Sequence, residues 1–161
     1  MSRQQKAKTQ TKLTEGRSFS SRVELYAMGL KRCNCVLDRN AYAKMRKSSP
    51  EHSIRAITSE TFIDAIMDDT AAFDGAIKYE LTVKENGEKA SAINIACVFV
   101  AHFHGPRKPK REQVEGFLKT YMPILSWLYF RQFVSDTTAR MAIPPITLPL
   151  ISQGSPDGSA E

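Results

Sequence analysis

The sequence predicts an α+β domain in which an antiparallel sheet is followed by a long, kinked helix packed on it. Two alternating apolar runs joined at Asn86-Gly87 predict a β-hairpin. A helical pattern starts near residue 112, and Pro123 predicts a kink near Lys119 because proline lacks the backbone donor for that carbonyl. The 161 residues fit one ordinary domain, and 42% hydrophobic with 25% charged residues is typical of a globular protein.

A long first strand is predicted from Phe19 to Leu37, with a bulge or bend near Gly29. The alternation gives its two faces different side chains: Val23, Leu25 and Ala27 on one, and Tyr26, Met28 and Leu30 on the other. The segment from Ile54 to Met67 stays open between a strand and a helical turn. Its threonines and isoleucines favour the strand, whereas TSETFIDAI also fits a helical turn.

The hairpin register depends on the length of the loop at Asn86-Gly87. The first hairpin strand carries the apolar set Ile77, Tyr79 and Leu81. A two-residue loop places this set beside Ala92, Asn94 and Ala96, and a three-residue loop places it on one face with Ile93, Ile95 and Phe99. Only the longer loop builds one apolar face, so it is the prediction, with a type I turn closed by Gly87 in the left-handed region.

The helix after residue 112 is apolar on most of its circumference. One predicted stripe contains Val114, Phe117, Leu118, Tyr121, Leu125 and Leu128. A second stripe, about a third of a turn away, contains Trp127, Phe130, Val134 and Met141. A helix of this kind must be covered on more than one side. We expect the hairpin to cover one side and a second partner the other; the alternative is an ordinary buried helix in a monomer.

The net charge of +6 raises the question of nucleic acid. Residues 1–17 carry five basic groups against one acid, and the loop 107–111 carries four more, so the remainder sums to about −2. The positive charge is thus assigned to solvated flexible segments, and a nucleic-acid-binding module that uses them is kept as the alternative of another class. With no secretory h-region, three cysteines and no apolar run of spanning length, we expect a cytoplasmic protein without membrane insertion.

No residue pattern points to an enzyme, a cofactor or a nucleotide, since both a phosphate-cradling glycine loop and a nucleophile–base pair are missing. Cys33 and Cys35 would share one strand face, and Cys97 or His102 could extend them towards a zinc site. Buried structural cysteines are the favoured interpretation. His102 and His104 are likewise interpreted as hydrogen-bonded residues beside a turn, not as metal ligands.

The stretch YMPILSWLYFRQFVSDTTARMAIPPITLPLI resembles the protein-export chaperone family SecB. Seven residues follow the family order Y-x-P…Y-x-R…R…P…L without a gap: Tyr121, Pro123, Tyr129, Arg131, Arg140, Pro144 and Leu148. The strong match covers about a fifth of the chain, and the hairpin fits more loosely. The resemblance implies a four-stranded antiparallel sheet and an ATP-independent holdase. It further implies a homotetramer, built as a dimer of dimers, that binds unfolded polypeptides along apolar grooves.

The resemblance assigns client binding to the sheet, the helix and the proline-rich strip after it. The candidate client-binding residues are Phe99, Trp127, Phe130, Phe133, Val134, Ile146, Leu148, Leu150 and Ile151. Three of them, Trp127, Phe130 and Val134, are also assigned to the oligomer interface. The prolines at 144, 145 and 149 predict that 143–151 is an extended apolar strip. The SecB-like domain is placed at 19–151, between a disordered basic arm at 1–18 and a flexible tail at 152–161.

Two departures from the family concern export. Members that deliver clients to the SecA motor are typically acidic on the outer sheet face, whereas the outer hairpin positions here are predicted as Ala90, Ala92 and Asn94, and the pI is about 9.3. The usual C-terminal helix and motor-binding tail are also missing after Ile151. SecA docking is therefore doubtful. The expected clients are preproteins or, alternatively, one dedicated partner such as an antitoxin in a toxin–antitoxin–chaperone system.

Overall fold

A four-stranded antiparallel sheet and a long helix packed on it form the core, as predicted, in a computed structural model that describes residues 19–47, 53–66 and 70–150. The strands are β1 (Glu24–Leu37), β2 (Ser53–Ile66), β3 (Ala72–Glu85) and β4 (Ile93–His104), in the spatial order β1-β4-β3-β2. The helices are α1 (Arg39–Lys47) and α2 (Arg111–Arg140). The ambiguous segment before the hairpin is thus a strand. The predicted arm at 1–18, the tail at 152–161 and Ile151 lie outside the described residues.

Strand β1 contains two bulges, and neither of them is at Gly29. Its pairing with β4 shifts between Leu25 and Ala27 and again between Leu30 and Arg32, which leaves one extra residue at each place. An extra residue reverses the face on which the following side chains lie. The predicted single bend at Gly29 is therefore wrong. Six side chains share the face that packs on α2: Leu25, Met28, Leu30, Cys33, Cys35 and Leu37.

The β3–β4 hairpin has the predicted apolar face but a different register. Leu81 pairs with Ile95, and Ile77 pairs with Phe99, so the two apolar sets do share one face. A three-residue loop would pair Leu81 with Ser91, whereas its partner in the structure is Ile95. Every β3 residue has a partner on β4 that is shifted by the same four positions. The three-residue loop is therefore wrong, because strand pairing ends well before the turn at Asn86-Gly87. The buried face determines which residues of the two strands point to the same side of the sheet. It does not determine how many residues of the connection stay unpaired.

The turn at Gly87 is also of another type than predicted. The N–H of Glu88 donates to the carbonyl of Glu85 at 3.1 Å, and Gly87, the third residue of this turn, has φ +84°. A positive φ confined to the third position belongs to a type II turn, and glycine is the residue that adopts it without strain. Ala92, predicted on the outer face, is 2% exposed and packs in the core.

Helix α2 crosses the sheet along a stripe of buried side chains spaced mostly four residues apart. They are Val114, Phe117, Leu118, Met122, Ser126, Phe130, Val134 and Thr138. A spacing of four drifts by about 40° per step around a helix of 3.6 residues per turn, so the stripe crosses both predicted stripes. Tyr121, Leu125 and Leu128 are consequently exposed or half-exposed. The helix approaches β3 closely at Gly75, where a Cβ atom would overlap the side chain of Leu118.

A buried hydroxyl pair anchors α2 to β3 next to Pro123. Ser126 donates to the carbonyl of Met122 at 2.6 Å, and the hydroxyls of Tyr79 and Ser126 share a hydrogen bond of 2.9 Å. Burial raises the pKa of Tyr79, and the hydrogen bond with Ser126 offsets part of that shift. The helix continues through Pro123, whose ring leaves the Lys119 carbonyl without its helical donor. The kink itself stays a prediction.

The chain leaves α2 through a left-handed turn. Ala142 has φ +59°, and the N–H groups of Ala142 and Ile143 donate to the carbonyls of Ala139 (3.0 Å) and Thr138 (3.3 Å). These are the two bonds of a Schellman motif, with alanine at the position that usually holds glycine. The turn directs the following residues back along the helix that they have just left.

The strip after α2 is extended, as predicted, and three helix side chains bond its backbone. Thr138 Oγ1 accepts from the N–H of Ile146 at 3.0 Å. Arg131 Nε donates to the Leu148 carbonyl at 2.7 Å, and Trp127 Nε1 donates to the Pro149 carbonyl at 2.9 Å. Ile143, Ile146 and Leu148 are buried, whereas Leu150 is exposed. The described strip is therefore part of the core along most of its length.

Candidate functional site

The side of β1 that points towards α2 is only partly covered. We name the six side chains on this side the β1 strip: Leu25, Met28, Leu30, Cys33, Cys35 and Leu37. Leu25 and Leu30 are 41% and 44% exposed, although the β4 residues paired with them, Phe103 and Phe99, are buried. The difference arises because α2 packs mainly on β2 and β3, so the edge strand extends beyond the helix.

A row of four side chains on α2 borders the β1 strip. We name this row the α2 ridge: Tyr121, Leu125, Tyr129 and Phe133, which share one side of the helix at four-residue spacing. At one end Phe133 contacts Phe99 edge-on, with ring centroids 6.2 Å apart, and Phe99 pairs with Leu30. At the other end Tyr121 lies 4.7 Å from Phe117, which contacts Phe103 at 5.2 Å. The strip and the ridge therefore form the floor and wall of one apolar groove.

The dimensions of the groove suit an extended polypeptide. The strip pairs with β4 from Phe103 to Ile93, so at about 3.3 Å per residue it is about 33 Å long. The ridge from Tyr121 to Phe133 rises about 1.5 Å per residue, so the walled part of the groove is about 18 Å long and matches roughly five or six extended residues. Tyr129 is 51% exposed and Tyr121 37%, so the wall offers aromatic surface with a polar tip. The strip and the ridge contain no Asp, Glu, Lys, Arg or His. The groove is therefore suited to apolar side chains.

Three thiols lie on this face of the sheet. Cys33 and Cys35 share it, as predicted, and Cys33 pairs with Cys97 of β4. Burial raises the pKa of Cys97 to about 12; burial, followed by the neighbouring Cys33, also raises that of Cys35. Cys33 is exposed, so the prediction of buried structural cysteines is wrong for that residue. Within residues 19–47, 53–66 and 70–150, no group of three or more His, Cys, Asp or Glu is arranged to hold a metal ion.

The residues predicted to bind clients are divided between the core and the surface. Those buried in the protomer are Phe99, Phe130, Val134, Ile146 and Leu148. Those partly or largely exposed are Trp127, Phe133 and Leu150. Phe99 and Phe133 adjoin the groove, whereas Phe130 and Val134 are 0% exposed and pack inside the protomer. The binding role of this set, and the interface role of Trp127, Phe130 and Val134, stay predictions.

The burial of Leu148 separates its effect from that of Leu150. Leu148→Ser removes a side chain that is 3% exposed, so we expect it to lower the free energy of unfolding by about 2–4 kcal/mol. Leu150→Ser changes a side chain that is 69% exposed and should leave stability nearly unchanged. Urea denaturation of both variants checks the pair. Equal stabilities would contradict the buried position of Leu148.

Sequence analysis missed most of the groove. It placed Leu25 and Leu30 on opposite faces of the first strand, because regular alternation was assumed. The available signal was the spacing of apolar and thiol side chains at 25, 28, 30, 33, 35 and 37. Steps of two interrupted by steps of three are what a strand with two single-residue bulges produces.

Positive charge is concentrated on β1 and α1 as well as on the predicted arm and loop. Residues 19–47 hold seven Lys and Arg against two acids. The net charge of about −2 outside residues 1–17 and 107–111 did not reveal this segment. Acidic residues elsewhere in the chain outnumber its positive charges in the sum. The folded domain therefore carries a basic region of its own, next to the β1 strip.

The outer face of the sheet carries carboxylates, and three of them contact basic side chains. Asp64 of β2 contacts Lys31 of β1 at 2.7 Å, Asp74 contacts His102 at 2.7 Å, and Glu80 contacts Lys78 at 3.5 Å. A hydrogen bond from Asn94 is the largest cause of the lowered pKa of Glu80. The predicted set of outer hairpin positions is wrong for Ala92, which is buried in the core, whereas Asn94 does lie on the outer face beside Glu80. Glu24 and Glu60 are further exposed acids of this face.

In the part of the chain that the structure describes, neither α1 nor α2 is long and apolar enough to cross a membrane.

The fold is that of a SecB-like chaperone. The chain superposes on a solved structure with a TM-score of 0.67 at 22% sequence identity, covering 82% of this chain and 93% of the other. That structure is the Mycobacterium tuberculosis Rv1957 SecB-like chaperone in complex with a ChAD peptide from the Rv1956 HigA1 antitoxin. A long helix on a four-stranded antiparallel sheet is common to both, which confirms the predicted fold class.

Sequence comparison agrees with the fold. The chain is 31% identical over 87 residues to the SecB-like chaperones MT2006 and Rv1957 of two Mycobacterium tuberculosis strains, CDC 1551 / Oshkosh and H37Rv. The match covers 53% of this chain and 48% of each relative, so it spans about half the length of the curated relatives. No family model matches the sequence. The predicted resemblance is confirmed: this chain is related to the SecB-like chaperones, which are not enzymes.

Proposed function

We propose that this chain is an ATP-independent holdase that keeps an unfolded segment extended in the groove between the β1 strip and the α2 ridge. The observation that carries the proposal is the incompletely covered side of β1, where Leu25, Leu30 and Cys33 are exposed beside the exposed tyrosines of the ridge. Monomers rarely expose contiguous apolar patches larger than a few hundred Å², and larger ones mark sites of association. Burial of half-exposed leucine and aromatic side chains supplies affinity without any requirement for a particular client sequence.

One dedicated partner, such as an antitoxin, is the client that we propose in preference to exported preproteins. The support is that the fold relative was solved with a ChAD peptide of an antitoxin. Export through a SecA-like motor has less support, because the outer carboxylates Asp64, Asp74 and Glu80 are paired with basic side chains. A cytoplasmic location suits both clients and is part of this proposal.

A second apolar surface suits assembly. Ile124 and Leu128 lie one helical turn apart on α2, outside the ridge, and are 54% and 61% exposed. We name them the outer pair and propose that copies of the chain meet there, in a homotetramer built as a dimer of dimers. In this proposal the outer pair takes the interface role predicted for Phe130 and Val134, because the protomer itself buries those two side chains.

The exposed thiol of Cys33 allows a direct test of the groove. In a Cys35→Ala variant, Cys33 is the exposed thiol of the floor, and Cys97 is buried with its pKa raised to about 12. An unfolded model client at about ten times its Kd should slow maleimide labelling of Cys33 by roughly tenfold, because only the unoccupied fraction reacts. Mass spectrometry of the labelled chain measures the rate.

A control thiol is available on the same strand. Tyr26 is 87% exposed at the first bulge, outside the strip, so Tyr26→Cys in a Cys33→Ala, Cys35→Ala background should label at one rate with or without client. If the client protected both thiols equally, or neither, binding in the groove would be contradicted.

A further inference from the structure

We propose that the groove selects an acidic client: an extended apolar segment with Asp or Glu at its polar positions. The proposal rests on the proposed function and adds the charge that the client carries. Its basis is that the uncharged β1 strip is bordered by basic side chains at both of its ends.

The carboxyl end of the strip leads directly into a basic helix. Helix α1 starts two residues after Leu37 and presents four exposed cations: Arg39, Lys44, Arg46 and Lys47. Its other side, with Ala41, Tyr42 and Met45, packs against the core. Among the described residues, none of these four cations forms a salt bridge. The carboxylate of Asp38 caps the helix by accepting the N–H groups of Asn40 and Ala41 at 2.9 and 3.0 Å.

The amino end of the strip lies beside the basic loop that precedes α2. Gly105 of this loop is packed so closely that a Cβ atom would lie 3.4 Å from Phe19, and the chain from Phe19 leads into β1. The loop continues with exposed Arg107 and Lys110. The acid at this end, Glu24, lies on the other face of β1, where it pairs with His104 across the strands.

The nearest carboxylate on the ridge side is Asp136. It follows Phe133 by three residues and accepts a hydrogen bond from the amide of Gln132 at 2.8 Å. Three carboxylates therefore lie near the two ends, Asp38, Glu112 and Asp136, against six exposed basic side chains: Arg39, Lys44, Arg46, Lys47, Arg107 and Lys110. The balance of charge around the groove is positive.

This arrangement determines which extended segments bind best. Apolar side chains of a client are held on the strip, and acidic groups between or beyond them approach α1 and the 107–110 loop. Each exposed pair contributes little, but several together amount to roughly a tenfold change in affinity, and salt screens the contribution. A basic segment of the same apolar content meets like charge at both ends and is rejected.

Three labelled peptides of about twelve residues test the proposal on the full chain. They share one apolar alternation and carry Glu, Gln or Lys at every polar position, and fluorescence anisotropy measures Kd. We expect the Glu peptide to bind about tenfold more tightly than the Gln peptide and the Lys peptide to bind most weakly. Raising salt from about 50 to about 300 mM should reduce these ratios and leave binding of the Gln peptide nearly unchanged.

Matched variants locate the charges responsible. Lys44→Gln with Lys47→Gln should remove most of the Glu-over-Gln preference, whereas Asp136→Asn should increase it. The control, Lys78→Gln with Lys119→Gln, neutralises two cations away from the groove, on the outer sheet face and beside β2, and should preserve the preference.

The possible outcomes separate the inference from the function on which it rests. Equal Kd values for the Glu and Gln peptides would overturn the acidic preference and leave the holdase proposal intact. If none of the three peptides binds and labelling of Cys33 slows as the protein concentration rises, a second copy of the chain covers the strip. That result would overturn both the acidic preference and the holdase proposal. Displacement of the Glu peptide by duplex DNA, together with equal binding of a peptide whose apolar residues are all serine, would assign the charge to nucleic acid and also overturn the inference.

Discussion

Replacing Leu30 and Tyr129 together by serine is expected to weaken capture of an unfolded client by more than about tenfold. Leu30 is in the middle of the β1 strip and Tyr129 in the middle of the α2 ridge, so the double variant removes apolar surface from floor and wall. Full burial of such side chains contributes about 1.5–3 kcal/mol each, and both are already half-covered, so about 1 kcal/mol per residue is lost. The suppression of aggregation of a reduced model protein measures the effect.

The matched control changes apolar side chains of β1 that lie outside the strip. Tyr26 at the bulge is 87% exposed, and Val36, paired with Asn94 on the outer face, is 51% exposed. Tyr26→Ser with Val36→Ser removes comparable surface and should leave capture unchanged. Wild-type capture by the Leu30, Tyr129 variant, at equal folded fraction, would show that clients bind elsewhere.

Introducing aspartate at both members of the outer pair, Ile124 and Leu128, is expected to dissociate the assembly into protomers. In the proposed tetramer these side chains are covered by another copy, so each aspartate becomes an unpaired buried charge that costs about 3–5 kcal/mol. In the isolated protomer both positions are more than half exposed, so folding should be retained. Light scattering should give the protomer mass of 18.1 kDa for the variant and four times that mass for the wild type.

A control pair on another helix tests whether any two added charges disrupt assembly. Gly116 and Thr120 continue the row of the outer pair, so the control is placed on α1, where Asn40 and Ala43 are exposed. Asn40→Asp with Ala43→Asp should preserve the wild-type mass. A wild-type mass of 18.1 kDa at micromolar concentration would contradict the tetramer, and an unchanged mass in the outer-pair variant would place the interface on another surface.

The fold class, the hairpin and the long helix followed from the sequence alone, whereas the first strand starts at Glu24 and not at the predicted Phe19, and the helix Arg39–Lys47 was not predicted. Alternation around Asn86-Gly87 indicated the hairpin and the side on which Ile77, Tyr79 and Leu81 are buried, because one buried face constrains parity strongly. The prolines after residue 143 indicated an extended strip, since proline removes helical donors wherever it occurs. The motif from Tyr121 to Leu148 indicated the family, and two of its members bond each other, Arg131 to the Leu148 carbonyl.

The groove was decided only by the tertiary structure. The first bulge in β1 brings Leu25 and Leu30 to one face, and the second adds Cys33, Cys35 and Leu37 to it. The positions of the bulges depend on pairing with β4, a strand more than fifty residues further along the chain. The drift of the buried stripe around α2 likewise depends on the angle at which the helix crosses a twisted sheet, which leaves Tyr129 open and buries Phe130. The local spacing of apolar residues indicates which of them share a face of a strand or helix. Which of them stay uncovered depends on contacts between distant segments, because a face is buried only where another element packs on it.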